Sequence, residues 1–312
     1  MKKMLAVLIA ALLCMSACAM AEGTYRVGVC QLVQHVALDA ATQGFQDALT
    51  AKLGDAVTFD VQNASGDSNT CSTIVNTFIS NEVDLIMANA TPALQSAVAA
   101  TGDIPILGTS VTDYATALEL DSWNGATGMN VSGTSDLAPL DQQAAMLHEL
   151  FPDAATVGLL YCSAEPNSKY QVEVISGYLA ELGYTCAEYT FADSNDVASV
   201  VQSACDGCDV LYIPTDNTAA SCTEAIRNVV EPAKKPVIAG EEGICAGCGV
   251  ATLSISYYDL GYATGEMAYE VLVNGADIST MDVRFAPNVT KEYNAEMCEL
   301  LGVQIPEGYK AI

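Results

Sequence analysis

Short polar runs recur along this chain of 312 residues, each placed directly after an apolar run. In the first half they are Gln31 to His35, Asn63-Ala64-Ser65-Gly66-Asp67, Asn89-Ala90-Thr91-Pro92 and Thr109-Ser110-Val111-Thr112-Asp113. The second half adds Ser163-Ala164-Glu165-Pro166-Asn167-Ser168, Thr215-Asp216-Asn217 and Gly240-Glu241-Glu242-Gly243. Small hydroxyls, amides and carboxylates of this kind cap helices, and capping alone accounts for Asp67 and Ser168. Asp113, Glu165, Asp216 and Glu241 exceed what caps require, and an ammonium group would be a strong partner for one or two of them. The candidate binding residues are therefore Gln31, Asn63, Thr91, Ser110, Thr112 and Asp113, then Ser163, Glu165, Asn167, Thr215, Asp216, Asn217 and Glu241.

Other chemistries are poorly supported. The two histidines are His35, which caps or orients its loop, and His148, on a helix before Phe151-Pro152. No Gly-x-Ser-x-Gly elbow accompanies them, and no phosphate-binding glycine loop follows a strand. Paired carboxylates hydrolyse glycosides, but Trp123 is the one tryptophan available to hold a sugar, with Tyr114, Tyr161 and Tyr170 as further stacking candidates. Among twelve cysteines, Cys205-Asp-Gly-Cys208 and Cys245-Ala-Gly-Cys248 have zinc-like spacing. The first pair precedes a strand and the second follows one, so they fall roughly 15 Å apart at about 3.3 Å per strand residue. Local disulfides are the expectation there, and neither metal nor cofactor is called for.

The elements that must position the polar runs follow from periodicity. Short β-branched runs read as strands over 25–32, 57–61, 85–88 and 104–107, with helix-period segments between them. A Gly-rich polar stretch, 124–136, then interrupts the pattern and reads as a crossing. Strands over 156–162, 185–191, 210–214, 236–239 and 250–256 follow, again alternating with helices, and 281–285 and 294–301 close the chain with a strand and a helix. Strands that are apolar throughout imply parallel sheets covered on both faces. The expected fold class is α/β, two doubly wound lobes with a cleft between them, since about 290 residues exceed one core. The first lobe is assigned 22–133 and 253–280, the second 134–252 and 281–312. The polar runs fall at the carboxyl ends of the strands, where such sheets bind ligands.

Composition narrows the partners. The formal charge is −27, from 11 basic and 38 acidic residues, which repels nucleic acid and anionic lipid. With 51% hydrophobic residues the chain is a folding one. Lys2 and Lys3, the apolar run 4–15 and the small residues 16–21 form an export leader, residues 1–21. Two cuts are available: Ser16-Ala17-Cys18 as a lipobox that makes Cys18 the lipidated first residue, or Ala19-Met20-Ala21 as an A-x-A site. The lipobox is favoured, because a binding protein without an outer membrane needs a tether.

Several runs together carry a resemblance. Gln34-His35-Val36-Ala37-Leu38-Asp39 with Gly44-Phe45, Asn63 to Asp67, Ala90-Thr91-Pro92-Ala93 and Val111-Thr112-Asp113 are similar to the aromatic-amino-acid type of ABC transporter substrate-binding lipoproteins. Val131-Ser132-Gly133-Thr134-Ser135-Asp136, Gly158 to Tyr161, Glu165 to Ser168, Pro214 to Asn217, Asp259-Leu260-Gly261 and Leu301 to Pro306 continue it over the whole mature chain. The resemblance implies a type I periplasmic-binding-protein fold, hinge closure without catalysis, a monomer, an ABC permease as partner, and tryptophan, tyrosine or phenylalanine as ligand. A surface receptor or adhesin of the same fold, or a binder of another small solute, is the alternative. It further implies that Glu165, Asn167, Asp216, Asn217 and Glu241 hold a head group, while Thr91, Ser110 and Thr112 receive a carboxylate. On that assignment Asp216→Ala would abolish binding and spare the unliganded fold. Val36 and Tyr114 stand where the family usually has proline.

Overall fold

The computed structural model describes residues 24–286 and 288–312. The leader and Cys18 lie outside the described residues. Two sheets organise the chain, each with helices on both faces.

The first sheet is built from β1 (Tyr25–Gln31), β2 (Val57–Asn63), β3 (Leu85–Asn89), β4 (Ile106–Val111), β5 (Val131–Ser135) and β11 (Arg284–Phe285), in the order β11-β5-β4-β3-β1-β2 with every pairing parallel. The second holds β6 (Thr156–Cys162), β7 (Thr185–Phe191), β8 (Val210–Ile213), β9 (Val237–Ala239), β10 (Ala251–Ser254), β12 (Thr290–Tyr293) and β13 (Lys310–Ala311). Its order is β13-β12-β10-β9-β8-β6-β7, with β10 and β12 antiparallel. Continuous burial of β3, β4 and β8 explains why these strands are apolar at every position rather than alternating.

The structure moves the lobe boundaries. Val131–Ser135 lies inside the expected crossing but is a buried strand of the first sheet, so the chain first crosses after Ser135, not at 133/134. Its hydroxyls find partners there: Thr134 Oγ1 lies 3.1 Å from Thr109 Oγ1 and 2.8 Å from Thr264 Oγ1, and Ser132 Oγ donates to Met281 O at 2.9 Å. Satisfied hydroxyls let a polar segment sit in a core. Gly133, at φ 149°, leaves no room for a Cβ against Gly108 O. The return crossing follows Ser254, and the last falls between Phe285 and Thr290 rather than at 280/281, because Arg284–Phe285 pairs with β5.

Helix Val36–Leu53 packs along helix Tyr257–Leu272, which re-enters the first lobe after the second crossing. Gly44 and Gly261 allow backbone contact there, since a Cβ on either would collide with Tyr258 O or Ala41 O. A small apolar cluster of Ala37, Ala41, Ile255, Tyr257 and Leu260 fills the corner beside the crossings, apart from the main core of each lobe. The expected helix over 219–230 is broken at Cys222 into Asn217–Ser221 and Thr223–Val230. All ten cysteines of the described residues carry free thiols, so the expected local disulfides are not formed. Within each Cys-x-x-Cys the second thiol turns elsewhere: Cys208 towards the Tyr189 hydroxyl and Cys248 towards Ile244 O.

Candidate functional site

The loops after β1 and β4 face those after β6, β8 and β9 across a small, nearly filled cavity. His35, Leu38, Ser110, Asp136, Asn167, Asp216, Glu241 and Tyr257 are among its lining residues. No lysine or arginine lines it among the described residues. A wider groove, between Leu32, Ser65 and Pro92 on one side and Cys162, Glu165 and Thr218 on the other, opens between the loops after β1, β2 and β3 and those after β6, β7 and β8.

The second-lobe carboxylates are each consumed by their own lobe. Asp216 Oδ2 accepts from Cys162 N and Ser168 Oγ, both at 2.7 Å, and Oδ1 accepts from Ala219 N at 2.8 Å as the cap of helix Asn217–Ser221. Burial, then the neighbouring Glu165 charge, pushes its pKa up, while these donors hold it down. Removal of Asp216 would therefore orphan three donors of the unliganded fold, contrary to the sequence-based assignment of a ligand contact dispensable for folding. Glu165 accepts from Asn167 Nδ2, from the backbone N and Nδ2 of Asn217, and from the backbone N and Oγ1 of Thr218. Glu241 caps helix Glu242–Cys248 by accepting from Gly243 N and Ile244 N, and burial raises its pKa to about 7 against those two bonds. Thr215 exchanges hydrogen bonds with the Gln171 amide, whose Nε2 also reaches Thr112 Oγ1 of the first lobe at 3.5 Å.

Other candidates lie away from the cavity or are committed elsewhere. Gln31 binds Val33 O, Asp39 and Thr42 within the first lobe. Asn63 is exposed and accepts from Ser65 N in a local turn. Asp113 caps the short helix Tyr114–Ala117 through Thr116 N. Ser163 is exposed and bonded to Phe191 O. Tyr114, stacked on Trp123, hydrogen bonds to Thr134 O in the core, and Tyr161 is bonded to Glu188.

The buried polar atoms without a partner are more telling. They include Thr91 Oγ1, Ser110 Oγ, Asp136 Oδ1, Asn167 Oδ1 and His35 Nδ1. Such atoms are rare in native interiors, and those of His35, Ser110, Asp136 and Asn167 belong to residues that line the cavity. Thr91 begins helix Thr91–Ala100, whose Thr91 and Ala93 N–H groups suit an anion, Pro92 having none and Leu94 N being bonded to Ala90 O. Ala90 and Ser110 are held at φ 91° and 53°, a left-handed conformation that costs energy for residues with a Cβ. Ser110 lines the cavity, whereas Ala90, directly after β3, belongs to the first-lobe core.

Asp136, the first residue after β5, was not among the sequence candidates, although it ends the Ser-Gly-Thr-Ser-Asp run. It is 4% exposed, and its Oδ2 accepts from Tyr257 Oη at 2.9 Å. Burial raises its pKa to about 6, and the Tyr257 and Thr112 hydroxyls draw it partly back. Its other oxygen is free. His35, read from sequence as a loop cap, makes no side-chain cap and instead reaches across to Asn217 Oδ1 at 3.2 Å.

Two lobes of parallel sheet, three crossings and a polar cleft between strand ends define a type I periplasmic-binding-protein fold. Known proteins agree. The family pattern described as ABC transporter substrate binding protein matches residues 26–311. The chain is 39% identical over 263 residues to a tyrosine-binding protein of Clostridioides difficile (strain R20291), covering 82% of this chain and 76% of that protein. Its structure matches an ABC domain in complex with L-Trp from Streptococcus pneumoniae with a TM-score of 0.88 at 33% identity, over 93% of this chain and 100% of that one. The ligand-free, open structure of a substrate binding protein with adhesive properties from Clostridium difficile matches at 0.70 and 37% identity, over 92% and 99%. The chain belongs to the ABC transporter substrate-binding family: it is an extracytoplasmic solute-binding component of an ABC importer. No helix of the described residues is long and apolar enough to cross a membrane.

Proposed function

We propose that this protein captures one aromatic amino acid between its lobes, closes on it by rotation about the three crossings, and hands it unchanged to its permease. The free carboxylate oxygen of Asp136, in a cavity lined by no basic side chain among the described residues, carries this reading. A buried carboxylate with an open oxygen requires a cationic partner, and an α-ammonium group supplies both charge and protons. Ser110 and Thr91, with the N–H groups that begin helix Thr91–Ala100, take the α-carboxylate. Leu38, Ala220 and the Tyr257 ring supply apolar wall. The tyrosine-binding and L-Trp-bound relatives favour an aromatic side chain.

The lobe arrangement supports a closed form. The structural match is better to the L-Trp complex than to the open, ligand-free protein, even though the latter is more similar in sequence. Closure would then move 24–135 with 257–286 as one body against 137–254 with 290–312. The cavity's imidazole is tied to Asn217 rather than to a nucleophile, in keeping with binding without catalysis. Lipid on Cys18 would hold the protein at the outer face of the cell membrane. Mass spectrometry of the N-terminal peptide distinguishes a diacylglyceryl-Cys18 start from a start at Glu22.

A thermal-shift screen of the mature protein against the twenty amino acids tests the ligand. At 100 times Kd, linkage stabilises by about 2.7 kcal/mol, a rise of several degrees in Tm. A shift confined to aromatic amino acids is expected. No shift with any amino acid overturns the reading.

A further inference from the structure

Two unpartnered acceptors in the cleft owe their orientation to one carboxylate. Glu165 Oε2 accepts from Asn217 Nδ2 at 2.7 Å, which turns Asn217 Oδ1 towards the first lobe. That oxygen can only accept, so the His35 Nε2 lying 3.2 Å away must carry the ring proton. Burial lowers the His35 pKa, so the ring stays neutral and Nδ1 presents a lone pair. His35 Nδ1 is buried and has no partner. Asn167 is oriented the same way: Nδ2 donates to Thr215 O at 3.0 Å and to Glu165 Oε2 at 3.2 Å. The flipped amide would set oxygen against both. Asn167 Oδ1 is therefore the second free acceptor, and it too is buried.

Both residues line the cavity, one from each lobe, with His35 set against Asn217 whereas Asp136 is bonded to Tyr257. The charges that act on His35 are Glu165 and Asp39, whereas those that act on Tyr257 are Asp136 and Glu241. An ammonium bonded to Asp136 leaves the His35 and Asn167 acceptors to another part of the ligand.

We propose that His35 Nδ1 and Asn167 Oδ1 form a second polar subsite that accepts a hydrogen bond from the ligand's own side chain, so that the cleft selects a phenol or indole over a bare phenyl ring. Glu165 is the positioning residue for both acceptors. The inference rests on the amino-acid reading above and adds the discrimination within that class. A site built to take a hydrogen bond rejects the analogue without one, because its buried acceptor stays unpaired.

Calorimetric titration of the mature protein with tyrosine, tryptophan and phenylalanine is the test. At least one of the donor-bearing ligands is expected to bind about tenfold or more tightly than phenylalanine. In His35→Phe that ratio should collapse towards one, a change that loss of the contact to Asn217 alone would not produce, since closure over each ligand is affected alike. Nitrogen-15 NMR gives an independent readout: wild type shows a neutral His35 protonated on Nε2, and Glu165→Gln erodes that preference. Equal affinities for the three ligands in wild type, or an Nδ1-protonated ring, overturns the subsite alone. Failure of all three to bind overturns the amino-acid reading and the subsite together.

Discussion

The two walls of the cleft answer the same task with opposite chemistry. On the second lobe Glu165 accepts five hydrogen bonds, Asp216 three and Glu241 two, all from that lobe. The first lobe and the first crossing leave Thr91, Ser110 and Asp136 with open atoms, and hold Ala90 and Ser110 in a strained backbone. On the second lobe's side of the cavity Asn167 Oδ1 is the exception. A wall rich in acid is therefore not the wall that offers acid to a ligand. The paired carboxylates stiffen loops, and the few unpaired atoms await a partner.

The sharpest way to break this contrast is Asp136→Ala. Loss of a buried charge partner costs about 2–5 kcal/mol of binding, so affinity should fall by about thirtyfold or more. The unliganded Tm should change little, since removal of a buried carboxylate with an open oxygen offsets the Tyr257 hydroxyl left without its acceptor. Unchanged affinity in a calorimetric titration would place the ammonium elsewhere.

Asp216→Ala should show the reverse pattern. Three orphaned donors are expected to lower unliganded stability by about 2–4 kcal/mol, read as the urea midpoint. A variant as stable as wild type would mean that the second wall is not braced by its carboxylates.

The pH dependence sharpens the comparison without mutation. Asp136 at about 6 and Glu241 at about 7 both stand above the ordinary carboxyl values of 3.8 and 4.5. Below those ordinary values both states are protonated. Between them and the folded values the folded chain keeps protons that the unfolded chain has released, so stability falls as pH rises from about 4 to about 7. Calorimetric Tm values should decline by a few degrees over that window. A ligand ammonium beside Asp136 should reduce the decline and should bind less well below about pH 6. A Tm that climbs with pH contradicts the buried, uncompensated acids.

Smallest of all is Asp113→Ala. It removes only the cap of a four-residue helix, so a stability loss of about 0.5–1 kcal/mol with unaltered ligand affinity is expected. A large loss of affinity would return Asp113 to the cleft.

The sequence by itself determined the alternating strands and helices, the gathering of polar loops at the strand ends, the acidic surface, and the Asp67 cap. These depend on periodicity and on hydrogen bonds within three or four residues, which are written locally. Only the tertiary structure decided that Val131–Ser135 is a core strand, because its hydroxyls are satisfied by Thr109, Thr264 and Met281 from distant segments. It alone separated the free carboxylate from the paired ones. Asp216 meets Cys162 across 54 residues, Asp136 meets Tyr257 across 121, and His35 meets Asn217 across 182. A side chain's type can be read at its own position, but whether its lone pairs are already taken is settled by neighbours that only folding brings together.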